Sequence, residues 1–194
     1  MPLNEKYWND RYLNDQAGWD LGSASAPLKD FFDTLSNRSI RILIPGAGNA
    51  YEAEYLKQKG FEHVFVCDLA DEPLRNLKRR CPAMRQDELI KGDFFNLPEN
   101  EKYDLIVEQT FFCALDPSYR QQYFIKMHRL LRERGILAGL LFDCSFEVSP
   151  PFGGSADEYK GYFDRYFNVI RFEKCVNSIE PRKGRELFIE LQRK

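Results

Sequence analysis

Two glycines in the segment Pro45-Gly46-Ala47-Gly48-Asn49-Ala50, and an aspartate at position 68, are the residues whose types and spacing point first to chemistry. Glycines at such a turn let backbone N–H groups approach a ligand closely, because no Cβ intervenes. Asp68 follows roughly 20 residues later, the spacing at which a carboxylate on the next strand tip accepts hydrogen bonds from both hydroxyls of a ribose. Singly, the glycines suit a plain turn and the aspartate a helix cap. Together, in a strand-turn-helix-strand context, they describe a nucleoside site. A dinucleotide fingerprint needs a third glycine where Tyr51 stands, so close packing on a pyrophosphate is disfavoured.

Two further sets of residues join this site. In Gly92-Asp93-Phe94-Phe95 the acid and an aromatic suit an adenine amino group and ring face, although both phenylalanines also suit a core. Near the N-terminus, Trp8 and Tyr12 share a helix face at i, i+4 spacing and, with Trp19, either lie over a ligand or pack on a sheet edge. The two histidines, His63 and His128, fall at a strand entry and on a helix, and neither is placed as a base. The list is an adenosine-like site with no phosphate clamp, metal cluster, nucleophile triad or histidine base. Methyl transfer from S-adenosylmethionine suits it: the sulfonium is its own leaving group, so the protein has mainly to align donor and acceptor and exclude water.

The elements that must position these residues alternate. Short β-branched runs at residues 40–44 and 64–67 read as buried parallel strands, with a helix over 50–59 between them that stops at Gly60. A helix opens at Asp71 and Pro73 and closes at Pro82. Residues 88–91 give a weaker strand and 103–107 a firm one, followed by a loop over 108–113. Asp116-Pro117 caps a helix with apolar positions Tyr123, Phe124, Met127, Leu130 and Leu131, expected to end at Gly135. A strand over 136–142, a helix near 156–166 and an antiparallel pair at 169–176 and 186–191 complete the chain. Such alternation implies a doubly wound, Rossmann-like α/β sheet with ligands outside the carboxyl ends of its strands. At 194 residues one domain is expected over 1–194, with 1–38 as an N-terminal cap segment.

Composition narrows the partners. Twenty-eight Lys and Arg against 30 Asp and Glu supply no basic field for nucleic acid. The five cysteines are scattered, never form CxxC and mostly sit in apolar runs, as reduced core residues do. The opening residues lack a signal-peptide stretch and no later run reaches the roughly 18 apolar residues of a membrane span, so a cytoplasmic chain without membrane contact is expected. A small-molecule acceptor and a monomer or weak homodimer are the expected partner and state.

In these residues the chain resembles the thiopurine methyltransferase superfamily, and within it the halide/thiol methyltransferases. The resemblance rests on Tyr7-Trp8-Asn9-Asp10-Arg11-Tyr12 with Trp19-Asp20, on Ile44-Pro45-Gly46-Ala47-Gly48, on Val66-Cys67-Asp68, on Phe111-Phe112-Cys113-Ala114-Leu115-Asp116-Pro117 and on Pro150-Pro151-Phe152. It implies a class I methyltransferase fold, a mostly parallel seven-stranded sheet with a C-terminal antiparallel strand. It also implies S-adenosylmethionine held at Trp8, Tyr12, Trp19, Gly46, Asp68, Asp93, Phe94 and Gln109. The Phe-Phe-Cys-Ala run and the Pro-Pro-aromatic loop look like the family's acceptor-side walls, which makes Phe152 the acceptor-pocket residue, with no general base and no metal assigned. Halide/thiol enzymes tend to carry tyrosine where Phe152 stands, and thiopurine enzymes arginine where Gln109 stands. Losing the phenol removes one polar handle for an anion and losing the guanidinium a charged partner for an acidic heterocycle, which favours a thiol or hydrosulfide acceptor. Ser149-Pro150-Pro151-Phe152 differs in place and first residue from the similar motif of DNA amino-methyltransferases. Two rival readings are a non-catalytic nucleotide-binding or regulatory module and a short NAD-dependent oxidoreductase. The second lacks both the third glycine and a Tyr-x-x-x-Lys pair.

Overall fold

In a computed structural model that describes residues 3–194, the apolar runs become strands within two compact units, Met1–Leu97 and Pro98–Lys194. The first unit holds three parallel strands, β1 (Arg41–Pro45), β2 (His63–Asp68) and β3 (Leu89–Lys91), in the order β3-β2-β1. Ile42, Leu43, Val64 and Val66 are fully buried, each contributing about 1.5–3 kcal/mol of apolar burial. The register pairs Ile44 with Val66 and Pro45 with Cys67, so β1 and β2 finish at one level. The turn after β1 and the aspartate that closes β2 therefore share an edge.

Four helices belong to this unit: α1 (Glu5–Leu13), α2 (Ala26–Thr34), α3 (Tyr51–Gln58) and α4 (Asp71–Arg80). Sequence reading places the stretch containing α2 in an N-terminal cap segment, 1–38, and assigns it no element. It is a helix that buries Pro27, Leu28, Phe31 and Phe32. Its N-cap, Ser25, makes no side-chain cap bond, and a proline in the first turn begins it.

The second unit contains β4 (Tyr103–Gln109), α5 (Arg120–Leu130), β5 (Leu131–Phe142), α6 (Ala156–Phe163), β6 (Phe167–Lys174) and β7 (Glu186–Arg193), its strands ordered β4-β5-β7-β6. β4 and β5 run parallel, and β7 is antiparallel to both β5 and β6, as the expected C-terminal antiparallel strand requires. Phe112, Tyr123 and Tyr159 form the core's aromatic centre, with Phe112 4.9 Å from Tyr123 and 5.3 Å from Tyr159.

Of the boundaries that differ from expectation, two have a clear cause in the sheet. β4 continues through Glu108 and Gln109, which sequence reading assigns to a loop, because both pair with β5 at Gly139 and Leu140. The helix before β5 stops at Leu130, and Gly135 lies within β5. Arg134 takes a φ of 59°, and a Cβ on Gly135 would sit 3.0 Å from the Arg132 carbonyl and 3.1 Å from that of Tyr103. The glycine thus serves a register shift between β4 and β5 and not a helix end.

Candidate functional site

The turn after β1 owes its shape to left-handed backbone. Gly46 and Gly48 have φ of 55° and 52°, which glycine adopts without steric cost. Ala50 adopts φ 52° as the N-cap of α3, a strained choice for a residue with a Cβ. The Gly48 N–H donates to Asp68 Oδ2 at 2.8 Å, and the Ala70 N–H donates to Asp68 Oδ1 at 2.8 Å. One carboxylate therefore holds the glycine turn and caps its own loop. Burial pushes its pKa up, against the pull of those backbone donors. Each oxygen has room for a further donor, and the group is 9% exposed, which suits a ribose diol.

The N-terminal segment is fastened to this edge. Asn9 on α1 accepts from the Asp71 and Glu72 N–H groups at 3.2 and 3.0 Å, capping α4 from outside, while Lys91 pairs with Glu5 at 2.8 Å. This places Tyr12 over the turn: a Cβ added at Gly48 would lie 2.5 Å from the Tyr12 hydroxyl. Trp19 donates its Nε1–H to that hydroxyl at 3.1 Å and packs edge-on against Tyr12 at 5.7 Å and Trp8 at 5.4 Å. Burial, followed by the nearby Asp68, raises the Tyr12 pKa well above that of a free phenol. Trp8, Tyr12, Trp19, Gly46 and Asp68 are thus brought to one edge.

Polar groups beneath the turn bond to it in ways the sequence motifs alone do not reveal. Asp20 accepts from the Gly22 N–H at 2.7 Å and from the Asn49 amide, and Asn49 in turn accepts from Asn76 at 3.0 Å. Arg80 donates to the Asn49 carbonyl and covers the Tyr51 ring at 4.5 Å. Tyr51, which removes the third glycine of a dinucleotide motif, is used here as a packing surface.

After β3, Asp93 caps a short 3₁₀ turn, its Oδ1 accepting from the Phe95 N–H at 2.9 Å. Phe94 is a core ring, 3% exposed, meeting the half-buried Phe95 edge-on at 5.3 Å. Its ring packs in the core. Cys67 lies behind, its thiol pushed up to about 12 by burial and then by Asp68 and Asp93, so it is an inert packing group.

Gln109 and Phe152 belong to the second unit. Gln109 ends β4, and its side-chain oxygen is buried without a hydrogen-bond partner, the orphan acceptor expected of a residue that receives a ligand N–H. The two segments read as acceptor-side walls do meet: the Phe152 N–H donates to the Cys113 carbonyl at 2.6 Å. The buried Arg120 guanidinium fixes the same loop by donating to the Gly153 carbonyl at 2.6 Å and to Glu158. His63 opens β2 and His128 packs against Tyr166 and Phe167, so neither stands at the carboxyl end of a strand. Among the described residues no group of acids, histidines and cysteines forms a metal site, and no helix is long and apolar enough to cross a membrane.

A family model for thiopurine S-methyltransferase matches residues 3–192. A probable thiol methyltransferase of Arabidopsis thaliana is 28% identical over 92% of this chain and 81% of its own length. A thiocyanate methyltransferase of Brassica oleracea is 27% identical over 94% and 80%. Among solved structures, a TehB-like SAM-dependent methyltransferase from Corynebacterium glutamicum covers 98% of both chains with a TM-score of 0.70 at 19% identity. The 1,6-didemethyltoxoflavin-N1-methyltransferase of Burkholderia thailandensis, crystallised with S-adenosylhomocysteine, has a TM-score of 0.76 at 15% identity, covering 98% of this chain and 87% of its own. These structures share the fold, and the family match, which spans nearly the whole sequence, places the chain in the thiopurine S-methyltransferase family.

Proposed function

We propose that this S-adenosylmethionine-dependent methyltransferase passes its methyl group to a small thiol or hydrosulfide, with thiocyanate and halide as further members of the same class of soft nucleophile. The observation that carries the donor half is Asp68, a buried carboxylate already bonded to the Gly48 amide and still able to take a diol. The sulfonium donor supplies an activated methyl and its own leaving group when bound. The chain's share is placement. Asp68 holds the ribose, Gly46 and Gly48 allow close approach of the backbone, and Asp93 with the Phe94 backbone faces the adenine. Trp8, Tyr12 and Trp19 cover the donor and exclude water, and Gln109 receives a donor N–H.

Support for the acceptor half comes from the segments around Phe111 to Cys113 and around Phe152, which are apolar and joined to each other. Halide and thiocyanate are already anions, and a thiol reacts through its thiolate, a few per cent of the total near neutral pH, with the proton lost to water, so no dedicated base is required. The thiol and thiocyanate acceptors in the names of the relatives favour the same class. We read both units as one methyltransferase domain, since the family model runs through both.

A methyl-release assay on a panel of sulfide, small thiols, thiocyanate and iodide tests this. Turnover is expected, with sulfur acceptors leading. A chain that binds S-adenosylhomocysteine yet methylates none of the panel contradicts the acceptor class and leaves a binding module in its place.

A further inference from the structure

Of the buried acids outside the donor site, Glu52, Glu88, Glu108 and Glu186, one stands at the carboxyl end of a strand. Glu108, the penultimate residue of β4, is 0% exposed, and the donors that meet its carboxyl are neutral. Its Oε1 accepts from the N–H groups of Phe111 and Phe112 at 2.8 and 2.9 Å, and its Oε2 accepts from the Tyr123 hydroxyl at 2.5 Å. Burying such a carboxylate costs several kcal/mol unless its lone pairs are met. Three donors meet them here.

What those bonds hold is a strained turn. Thr110, between Gln109 and Phe111, has a φ of 59°, a left-handed conformation that a β-branched residue enters only when its surroundings impose it. The Thr110 hydroxyl turns back to the Gln109 carbonyl at 2.7 Å, and the Cys113 thiol donates to the Thr110 carbonyl at 3.3 Å. Room for the glutamate is made on the neighbouring strand. Glu108 pairs with Gly139, and a Cβ there would run into the Glu108 backbone and its Cβ. The chain of contacts then runs outward, from Glu108 to the amides of Phe111 and Phe112, through the turn to the Cys113 carbonyl, and from that carbonyl to the Phe152 N–H.

We propose that Glu108, braced by Tyr123, is the positioning residue of the acceptor pocket: by clamping the strained turn at Thr110 it sets where Phe111 and Phe152 stand, and so which acceptor is taken. The proposal rests on the acceptor walls assigned above. Glu108 itself touches neither substrate nor donor. Its carboxylate faces inward, so the wall offered to a soft nucleophile stays apolar while the strain is borne behind it.

The test compares the full chain with E108A, E108Q and Y123F, measuring S-adenosylhomocysteine binding by calorimetry and kcat and KM separately for sulfide and thiocyanate. In E108A the donor affinity should stay within about threefold while acceptor kcat/KM falls about 10²-fold, the scale of a displacement near 1 Å. The ratio between the two acceptors should change as well, because the wall has moved. E108Q keeps the side chain's size and one acceptor oxygen, and should recover much of the loss. Should E108A fail to fold, Y123F carries the same comparison at about three- to tenfold. Variants that bind the donor normally and keep both acceptors' kcat/KM and their ratio within about threefold overturn the proposal. A wild-type chain that binds no S-adenosylhomocysteine overturns the donor reading, and the positioning role falls with it.

Discussion

Asp68 in the first unit and Glu108 in the second are both acids at the carboxyl end of a parallel strand, both buried, both bonded to two backbone amides and both pushed up in pKa by burial. They differ in how their oxygens are spent. Asp68 gives one oxygen to each amide and remains 9% exposed. Glu108 gives one oxygen to two amides and the other to Tyr123, with no exposure at all. A carboxylate with unused lone pairs and an open side is ready for a ligand, whereas one whose capacity is consumed by its own chain is a brace. Burial and a shifted pKa alone do not separate the two cases.

Substitutions that push the two acids apart test this contrast. The largest effect is expected from D68A. It removes two charge-assisted bonds to a ribose, each worth about 1.5–3 kcal/mol, so donor affinity should fall on the order of 10²- to 10⁴-fold by calorimetry. E108A should reverse the pattern. Donor affinity should hold while the unfolding free energy in urea drops by about 2–4 kcal/mol, since two amides and a phenol lose their partner and a void opens.

Next comes pH. Glu108 is raised from an unfolded value of 4.5 to about 7. A carboxyl raised on folding contributes stability that is complete below the unfolded value and lost as pH rises through the folded one. The stability difference between wild type and E108Q should therefore shrink by on the order of 2 kcal/mol between pH 4.5 and 7.5, read by urea melts across that window. A flat difference would show that the acid titrates normally.

Smaller effects probe the backbone beside each acid. G48A places a Cβ against the Tyr12 hydroxyl at a φ of 52°. It should cost about 1–2 kcal/mol of stability and about tenfold in donor affinity as Tyr12 moves aside. T110G relieves a left-handed threonine and should change stability least, by up to about 1 kcal/mol in the variant's favour, while weakening acceptor discrimination.

What sequence could reveal follows the range of the forces involved. β1, β2 and α4 were legible because buried β-branched runs, a first-turn proline and acidic residues at Asp71 and Glu72 are local signals. Asp68 was legible because its spacing from Gly48 is fixed by a short helix and a strand. α2 was missed although Pro27, Leu28, Phe31 and Phe32 carry a helical period that a closer reading finds. Gly135 misled, since a glycine after a helical pattern resembles a stop, and only the pairing with β4 shows that it serves a bulge. Asn9 capping α4 and Gly139 admitting Glu108 are long-range contacts with no local trace. Phe94 read as a ligand face or as core, and its ring is 3% exposed.

The central claim is that Asp68 holds the sugar of the donor beside the glycine turn. A crystal structure of the chain with S-adenosylhomocysteine tests it most directly. Both ribose hydroxyls are expected within about 3.2 Å of the Asp68 carboxylate oxygens, with the Gly48 amide bond kept. Clear density for the ligand with its ribose on other residues, and Asp68 facing only its own amides, would contradict the account.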